Sequence, residues 1–405
     1  MAEPESILVV GAGQAGASLV QTLRAEGYGG PVTLVGAEPE PPYQRPPLSK
    51  KYLLGDFAAE RLYLKPLSYY DEAEIRLITD QAAVAVDAAA REVRLANGST
   101  LGYGALALTT GAIARRLPGA AGGDLAGVHV VRTRADVDGL APEVAPGRRA
   151  LVVGGGYIGL EAAAVLASRG LRVTLVERAE RILNRVASAE TAAFLRALHQ
   201  SHGVTIREGA LMARLEGEGR VAAVVFEDGE RLEIDLAIVG IGIAPDTGLA
   251  ESAGLRVENG IAVDAQCRTS DAAIYAAGDC ASFPWEDGRI RLESVQNAID
   301  QGAHAARAML GAEAPYRPYP WFWSDQYDAK LQIAGLSTDH TRVIERPGSR
   351  PSGRSFWYFR GAAFVAIDAV SDPKAYMTGK RWLEAGQHPD PEALANPDQD
   401  LRGLV

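Results

Sequence analysis

Two short apolar runs, Ile7–Val10 and 151–153, are each followed by glycines, a stretch with helical periodicity and a second apolar run. Runs this short and this apolar are typical of buried parallel strands. The stretches 17–25 and 160–169 are predicted as helices, and the runs 32–35 and 172–176 as the strands that follow. The pattern predicts two strand–turn–helix–strand units in one chain.

The turn between strand and helix is glycine-rich in both units. It has the sequence GAGQAG from Gly11 and GGGYIG from Gly154. Glycine lets the backbone approach a pyrophosphate, and the helix N-terminus offers it N–H groups and partial positive charge. Glu38 and Glu177 follow the second strands, close to the ~20 residues at which a carboxylate can bind a ribose hydroxyl. One such motif is weak support, but two predict two dinucleotide sites.

The acid of the second unit bears on which nucleotide binds there. A carboxylate at Glu177 accepts the 2′-hydroxyl of NAD and repels the 2′-phosphate of NADP. Arg178 follows directly and could soften that exclusion. We therefore favour NADH and leave NADPH open.

The remaining pattern predicts further strands at 105–108, 236–239 and 273–277 and helices at 190–202 and 294–310. The loop 39–50 is rich in proline and therefore stiff. Asp279, after a predicted strand, can bond a polyol or cap the next turn, and both remain open. Beyond about residue 315, strands at 331–335, 341–344, 355–359 and 363–370 predict an antiparallel C-terminal domain, followed by a polar, partly mobile tail at 387–405.

Composition and charge exclude several function classes. The 405 residues, 47% hydrophobic and 23% charged, are those of a globular chain with two or three domains. We expect a cytoplasmic protein, because no apolar run is long enough to span a membrane and residues 1–6 show no signal-peptide pattern. The net charge of −10 argues against nucleic acid or an anionic membrane as partner. Cys267 and Cys280 are in no CxxC or CxxxxC pair, which indicates neither a redox dithiol nor a disulfide framework.

The motifs together resemble the FAD-dependent reductases with two dinucleotide sites, and within them the NADH:ferredoxin reductases of oxygenase systems. The resemblance covers nearly the whole chain and rests on the segments 11–16, 46–50, 62–64, 109–111, 131–133, 154–161, 278–280, 293–298 and 321–326. It implies an α/β fold with two Rossmann-like domains in a glutathione-reductase-like arrangement and a C-terminal α+β domain. The implied domains are FAD-binding at 1–112 and 245–316, NADH-binding at 113–244, and C-terminal at 317–405.

The same resemblance implies the roles of individual residues, with FAD at the first glycine turn and NADH at the second. The family often has an acid at position 37, where this chain has Ala37, so we expect Glu38 to take the adenosine ribose. Trp323 is expected near the flavin or the partner. The FAD contacts carried over are Gly11, Gly13, Ala15, Gly16, Glu38, Arg45, Pro47, Lys50, Ala83, Thr110, Gly111, Arg132, Gly278, Asp279, Ser294, Val295 and Trp323. The NADH contacts are Gly154, Gly155, Gly156, Ile158, Gly159, Glu161, Glu177 and Gly242.

Lys50 and Glu161 are the implied catalytic pair, with Lys50 near the reactive edge of the flavin. Without the resemblance, Glu161 is equally well an acid favoured by the helix dipole, and Lys50 a solvated lysine beside Lys51. No metal site is predicted.

An absent cysteine separates the subfamilies. Relatives that reduce disulfides or oxygen carry a redox cysteine in the loop after the second strand or a CxxxxC pair, and residues 41–50 contain none. The resemblance therefore implies that electrons leave FAD directly and singly for a 2Fe–2S ferredoxin, which feeds a cytochrome P-450 or Rieske-type oxygenase. The ferredoxin is expected to be acidic and to dock transiently, and the chain to be a monomer or weak dimer.

Rival functions are a rubredoxin reductase or a monodehydroascorbate-type reductase on the same fold. A rival of another class is a binding flavoprotein similar to apoptosis-inducing factor. Added acceptors distinguish the reductases, and negligible turnover with all of them would favour the binding protein.

Overall fold

The computed structural model describes residues 3–348, 350 and 352–405, which form two compact units. The first unit comprises Met1–Gln44, Ala59–Ile113 and Ile243–Pro318. The second comprises Arg45–Ala58, Ala114–Gly242 and Tyr319–Val405.

The elements are numbered in chain order. The strands are β1 (Ile7–Val10), β2 (Val32–Val35), β3 (Ile75–Ile78), β4 (Ala83–Asp87), β5 (Glu92–Leu95), β6 (Thr100–Gly102), β7 (Ala105–Leu108), β8 (Ala112–Ala114), β9 (Val128–His129), β10 (Arg149–Val153), β11 (Arg172–Glu177), β12 (Thr205–Glu208), β13 (Met212–Glu216), β14 (Ala223–Phe226), β15 (Arg231–Glu233), β16 (Leu236–Val239), β17 (Ile243–Pro245), β18 (Ile261–Ala262), β19 (Ile274–Ala276), β20 (Ala281–Trp285), β21 (Gly288–Ile290), β22 (Trp321–Gln326), β23 (Ala329–Gly335), β24 (Arg342–Pro347), β25 (Arg354–Arg360) and β26 (Ala363–Val370).

The helices are α1 (Gln14–Ala25), α2 (Leu67–Glu72), α3 (Arg134–Leu140), α4 (Tyr157–Ser168), α5 (Ala189–Ser201), α6 (Gly248–Ser252), α7 (Val295–Met309), α8 (Pro373–Glu384) and α9 (Pro391–Ala395). Short 3-10 helices lie at Pro46–Ser49, Ala59–Leu62, Gly119–Ala121, Ala141–Glu143 and Leu401–Gly403. No helix within the described residues is both long enough and apolar enough to cross a bilayer.

The core of the first unit is a parallel five-stranded sheet in the order β3–β2–β1–β7–β19. All residues of β1 and β7 are buried, because both faces of this sheet are covered. Helix α1 packs against it through residues at helical spacing, among them Leu19, Val20 and Leu23. Three small sheets complete the strands of this unit: β4–β5–β6, β18–β20–β21 and β17–β8.

The second unit repeats the arrangement. Its parallel sheet has the order β12–β11–β10–β16–β9, so the first strand of the βαβ unit is again central, as in doubly wound nucleotide-binding sheets. Helix α4 follows β10 as α1 follows β1, and a three-stranded antiparallel sheet, β13–β14–β15, is inserted before β16.

The C-terminal part of the second unit is an antiparallel sheet in the order β22–β23–β26–β25–β24. Helix α8 packs on it closely, since a Cβ added at Gly379 would lie 2.8 Å from the Ile367 side chain. Trp357 of β25 and Trp382 of α8 meet in the core between the sheet and this helix, with ring centroids 5.4 Å apart. With the two parallel sheets, this domain confirms the predicted α/β fold class.

The structure adds two features of the C-terminal part to those predicted. The aromatic cluster at 321–323 forms the start of the edge strand β22. The tail 387–405, predicted as polar and partly mobile, contains the short helix α9, and its Leu394 and Leu401 are buried in the core. The buried guanidinium of Arg346 also donates to the carbonyls of Leu394, Asn396, Pro397 and Gln399.

A buried carboxyl group joins the C-terminal sheet to helix α5. Asp368 on β26 is 1% exposed, and its Oδ2 accepts hydrogen bonds from the hydroxyls of Tyr358 and Thr191. Burial raises the pKa of Asp368 to about 6, although the two hydroxyl donors and His340 oppose the rise. The folded protein therefore keeps this group protonated over a pH range in which the unfolded chain does not.

Replacing Asp368 by Asn should change how stability depends on pH. With the pKa raised from 3.8 to about 6, the folded state binds more protons between these values, so the free energy of unfolding falls as pH rises through this range. We expect the variant to become more stable relative to the wild type by about 2 kcal/mol as the pH rises from 4.5 to 7.5. Melting temperatures of both proteins, followed by circular dichroism, measure this, and parallel curves would contradict it.

Candidate functional site

The first glycine turn has the backbone that a pyrophosphate requires. Gly11 has φ +114°, and a Cβ there would lie 2.1 Å from the carbonyl oxygen of Thr109. Gly13 is the N-cap of α1, and no side chain caps the helix. A Cβ at Gly13 would meet nothing within 4 Å, so there is open space beside the start of the helix, where the first N–H groups have no partner within the helix itself. This cradle fits an anionic dinucleotide.

The second turn repeats these features. Gly154 has φ +107°, and a Cβ there would lie 2.3 Å from the carbonyl oxygen of Gly240. Gly156 is the N-cap of α4, without a capping side chain and with nothing within 4 Å of an added Cβ. A second dinucleotide fits here by the same criteria. Gly159 lies against the carbonyl of Gly154, and Ile158 is 44% exposed in the first turn of the helix.

The two predicted ribose acids have different surroundings. Glu177 is the last residue of β11, and its carboxylate accepts from the N–H groups of Gly155 at 2.7 Å and Ala179 at 2.8 Å. These bonds hold the carboxylate beside the second glycine turn. Glu38 lies beyond the end of β2, where its Oε2 accepts from the Tyr43 hydroxyl at 2.5 Å.

In the first unit, the segments 109–111 and 278–279 lie beside the first glycine turn. The Thr109 hydroxyl donates to the Gly11 carbonyl at 2.8 Å, and a Cβ at Gly278 would lie 2.9 Å from Cβ of Ala15. Asp279 follows β19 at the carboxyl edge of the parallel sheet, the edge at which such sheets bind ligands.

Other predicted FAD residues of this unit have structural tasks as well. Ser294 is the N-cap of α7 and accepts from the Asn297 N–H at 3.1 Å, and Val295 begins that helix. The Thr110 hydroxyl donates to the Asp246 carbonyl at 2.6 Å. Gly16 packs on the Gly11 carbonyl, Gly111 has φ +74°, and Ala83 begins β4, outside the main sheet.

The remaining predicted residues belong to the second unit. A guanidinium nitrogen of Arg45 donates to the Arg132 carbonyl at 2.8 Å, just before the N-cap of α3. Trp323 lies on β22, its ring centroid 5.6 Å from that of Trp321. Pro47 lies in the 3-10 helix Pro46–Ser49, and Gly242, after β16, has φ +99°.

Lys50 and Glu161 meet in the second unit, which makes this pair the most strongly organised polar group of the predicted site. The Lys50 Nζ lies 2.6 Å from Oε2 of Glu161, and the side chains are 16% and 2% exposed. Glu161 lies in the second turn of α4, and the first turn carries no acid, so the helix dipole does not explain its position. Nor is Lys50 an ordinary solvated lysine.

Two further donors to Glu161 were missed in the sequence. The hydroxyl of Ser49 donates to Oε2 at 2.6 Å, and that of Ser324 donates to Oε1 at 2.7 Å. A buried carboxylate is tolerated when it is paired and hydrogen-bonded in this way. Ser324 could have been suspected, because strand alternation in 321–326 places it on the opposite face from Trp323. Nothing local indicates that this face meets Glu161.

The described residues include both cysteines of the chain, and neither can reach solvent. Cys267 and Cys280 are each 0% exposed and are not disulfide-bonded. Burial raises the pKa of each thiol. A buried thiol with a raised pKa is a poor nucleophile for thiol–disulfide exchange.

Comparisons with known proteins agree along the whole chain. The family model of pyridine nucleotide-disulphide oxidoreductases matches residues 5–302, and the reductase C-terminal model matches 321–405. A ferredoxin–NAD(P)⁺ reductase of Sphingomonas sp. is 42% identical, covering 98% of this chain and 97% of its own. Rhodocoxin reductase of Rhodococcus erythropolis is 40% identical, covering 98% and 93%.

Among solved structures, the covalent putidaredoxin reductase–putidaredoxin complex superposes with a TM-score of 0.95 at 37% identity, covering 100% of this chain and 98% of the other. The resemblance inferred from the motifs is thereby confirmed, as is the predicted family-level enzyme class. The chain belongs to the pyridine nucleotide-disulphide oxidoreductase family, among its ferredoxin reductases.

Proposed function

We propose that this protein is an NADH-dependent flavoprotein reductase that delivers electrons singly to a 2Fe–2S ferredoxin, which in turn feeds an oxygenase such as a cytochrome P-450. Family membership carries the enzyme class, the use of FAD and NAD(H), and a ferredoxin as partner. The chemistry that bound FAD supplies is acceptance of a hydride and release of single electrons.

The observation that carries the choice of acceptor is the burial of both thiols. The family name includes disulphide oxidoreductases, which need an accessible thiol, and Cys267 and Cys280 are 0% exposed. With no protein thiol to relay electrons, the acceptor has to take them from the bound cofactor itself. A one-electron iron–sulfur protein suits this requirement.

The glycine turns take the dinucleotides in this proposal. The N–H groups at the start of α1 would hold the FAD pyrophosphate, and those at the start of α4 would hold that of NADH. Glu177 would accept the adenosine ribose hydroxyls of NADH, because Gly155 and Ala179 fix its carboxylate beside the second turn. Its negative charge supports NADH over NADPH.

Lys50 and Glu161 would act on the reaction through charge. The Lys50 ammonium would stabilise the negative charge that develops on the acceptor of the hydride. The buried carboxylate of Glu161 would hold the ammonium in place from 2.6 Å. This role rests on the family resemblance and on the buried ion pair.

We also propose the domain boundaries, the location, the oligomeric state and the character of the partner. Residues 1–112 and 245–316 are taken as the FAD-binding domain, 113–244 as the NADH-binding domain and 317–405 as the C-terminal domain. The protein would act in the cytoplasm as a monomer or weak dimer. Its ferredoxin would be acidic and dock transiently.

The acceptor can be identified by adding purified electron carriers to the FAD-loaded protein with NADH or NADPH. We expect rapid NADH-driven reduction of a 2Fe–2S ferredoxin, read by cytochrome c, and slower turnover with NADPH because Glu177 repels the 2′-phosphate. Rubredoxin or the monodehydroascorbate radical as the better acceptor would overturn the proposal. Negligible turnover with every acceptor would favour a binding flavoprotein.

Replacing Lys50 by Ala should slow the reduction of bound FAD by NADH about 100-fold, because a positive charge that stabilises the reaction is lost. FAD content and the Kd for NAD⁺ should stay near wild-type values. Stopped-flow absorbance at the flavin band measures the rate constant. Lys51→Ala is the matched control, since Lys51 is exposed and lies next to Lys50 in the sequence. In this variant NADH should reduce the bound FAD at the wild-type rate. An unchanged rate constant in Lys50→Ala would contradict the assigned role.

A further inference from the structure

The Lys50–Glu161 pair is the end of a longer chain of hydrogen bonds inside the second unit. Besides donating to Glu161, the Ser324 hydroxyl accepts from Nε2 of Gln326 at 3.1 Å. Oε1 of Gln326 lies 2.8 Å from Nε2 of His199, and Nδ1 of His199 lies 3.3 Å from the Tyr327 hydroxyl. The chain thus links helix α5, the hairpin β22–β23 and helix α4.

Three members of this chain are shielded from water, so their hydrogen bonds have few alternatives, and Tyr327 at its end is partly buried. His199 and Ser324 are 0% exposed, and Gln326 is 1% exposed. Unpaired polar groups at such positions are costly, so each group is constrained to the partner it has. The direction of each hydrogen bond then depends on which of its two atoms carries the proton.

The arrangement allows each member of the chain to donate toward Glu161, because an amide oxygen can only accept and the Gln326 oxygen faces His199. Burial raises the pKa of the Tyr327 hydroxyl and lowers that of His199, which leaves a phenol that donates and a neutral imidazole with one N–H. If Tyr327 donates to Nδ1, Nε2 carries the proton and donates to Oε1 of Gln326. The amide of Gln326 is then oriented with its N–H toward Ser324, and the single hydroxyl proton of Ser324 is left for Glu161.

We propose that Gln326 and His199 are positioning residues for the Lys50–Glu161 pair: they direct the Ser324 hydroxyl proton onto Oε1 of Glu161, which keeps the carboxylate turned with Oε2 toward the Lys50 ammonium. The proposal deepens the proposed function and rests on it for the role of Lys50. A glutamine amide conducts protons poorly, so the chain orients the pair and is not a path for protons.

The substitution Gln326→Glu tests this directly, because it keeps the shape of the side chain and reverses one bond. A carboxylate at position 326 still accepts from His199, but it also accepts from Ser324 and so competes with Glu161 for the hydroxyl proton. Ser324→Ala removes that proton altogether. His199→Gln keeps an N–H donor near the Nε2 position and should preserve the orientation of Gln326.

Thr191→Val is the matched control for loosened packing. Thr191 lies on α5 like His199 and is 0% exposed, but its hydroxyl donates to Asp368 and not into the chain that leads to Glu161. A merely structural role for His199 and Gln326 would make this variant behave like Gln326→Glu.

The readout is the rate at which an amine-acylating reagent modifies Lys50 in the FAD-loaded protein, measured by mass spectrometry and divided by the rate at Lys51. Lys50 is protected from the reagent by its ion pair with Glu161. Lys51 is exposed, so its rate of modification measures the activity of the reagent itself. We expect Gln326→Glu and Ser324→Ala to raise this ratio about three- to tenfold, the range for the loss of one hydrogen bond. His199→Gln and Thr191→Val should keep the wild-type ratio.

A wild-type ratio in both Gln326→Glu and Ser324→Ala would overturn the proposal, and so would an equal rise in Thr191→Val. The rate constant for reduction of FAD by NADH is measured on the same samples. It distinguishes failure of the positioning proposal from failure of the proposed function. Raised labelling with an unchanged rate constant would support the positioning of Lys50 while contradicting its role in hydride transfer.

Discussion

The packing of the second unit depends on supplying hydrogen-bond donors and a counter-ion to one buried carboxylate. Glu161 is 2% exposed, and a carboxylate so far from water is stable only when both oxygens receive donors. The donors come from two distant segments: Ser49 and Lys50 from the end of the proline-rich loop, and Ser324 from the edge strand of the C-terminal sheet. Removing one partner would leave a buried charge uncompensated, so the loop, helix α4 and strand β22 are held to one geometry.

This constraint gives the C-terminal sheet a place in the proposed chemistry as well as in stability. Helix α5 contacts the sheet through two separate polar clusters. Thr191, near its start, meets Asp368 and Tyr358, and His199, near its end, meets Gln326. The second cluster continues through Ser324 to Glu161. The sheet is therefore connected to the Lys50–Glu161 pair by hydrogen bonds whose direction is defined, and not by packing alone.

The features that could be predicted from the sequence are those encoded by local patterns of residues. The strands β1 and β10, the glycine turns and the parallel sheets follow from short apolar runs and helical periodicity, although α1 begins at Gln14 and α4 at Tyr157, three residues before the predicted starts. The turn residues themselves form the first helical turn, and glycine obscures that in a periodicity analysis. The pair Lys50–Glu161 could be suspected only from the family resemblance.

What the sequence could not predict depends on contacts between distant residues. Ser324 lies 163 positions from Glu161, and Gln326 lies 127 positions from His199. No periodicity links such pairs. The packing of the tail was missed for the same reason, because its polar composition says nothing of Arg346, which donates to four of its carbonyls from about 50 residues away.

The central claim is that electrons pass from NADH through FAD to the ferredoxin without a protein thiol. The most direct measurement is the rate of NADH-driven ferredoxin reduction by a variant with both Cys267 and Cys280 replaced by Ala, at matched FAD content. The account predicts the wild-type rate for both FAD reduction and ferredoxin reduction. Loss of ferredoxin reduction while NADH still reduces FAD at the wild-type rate would contradict it.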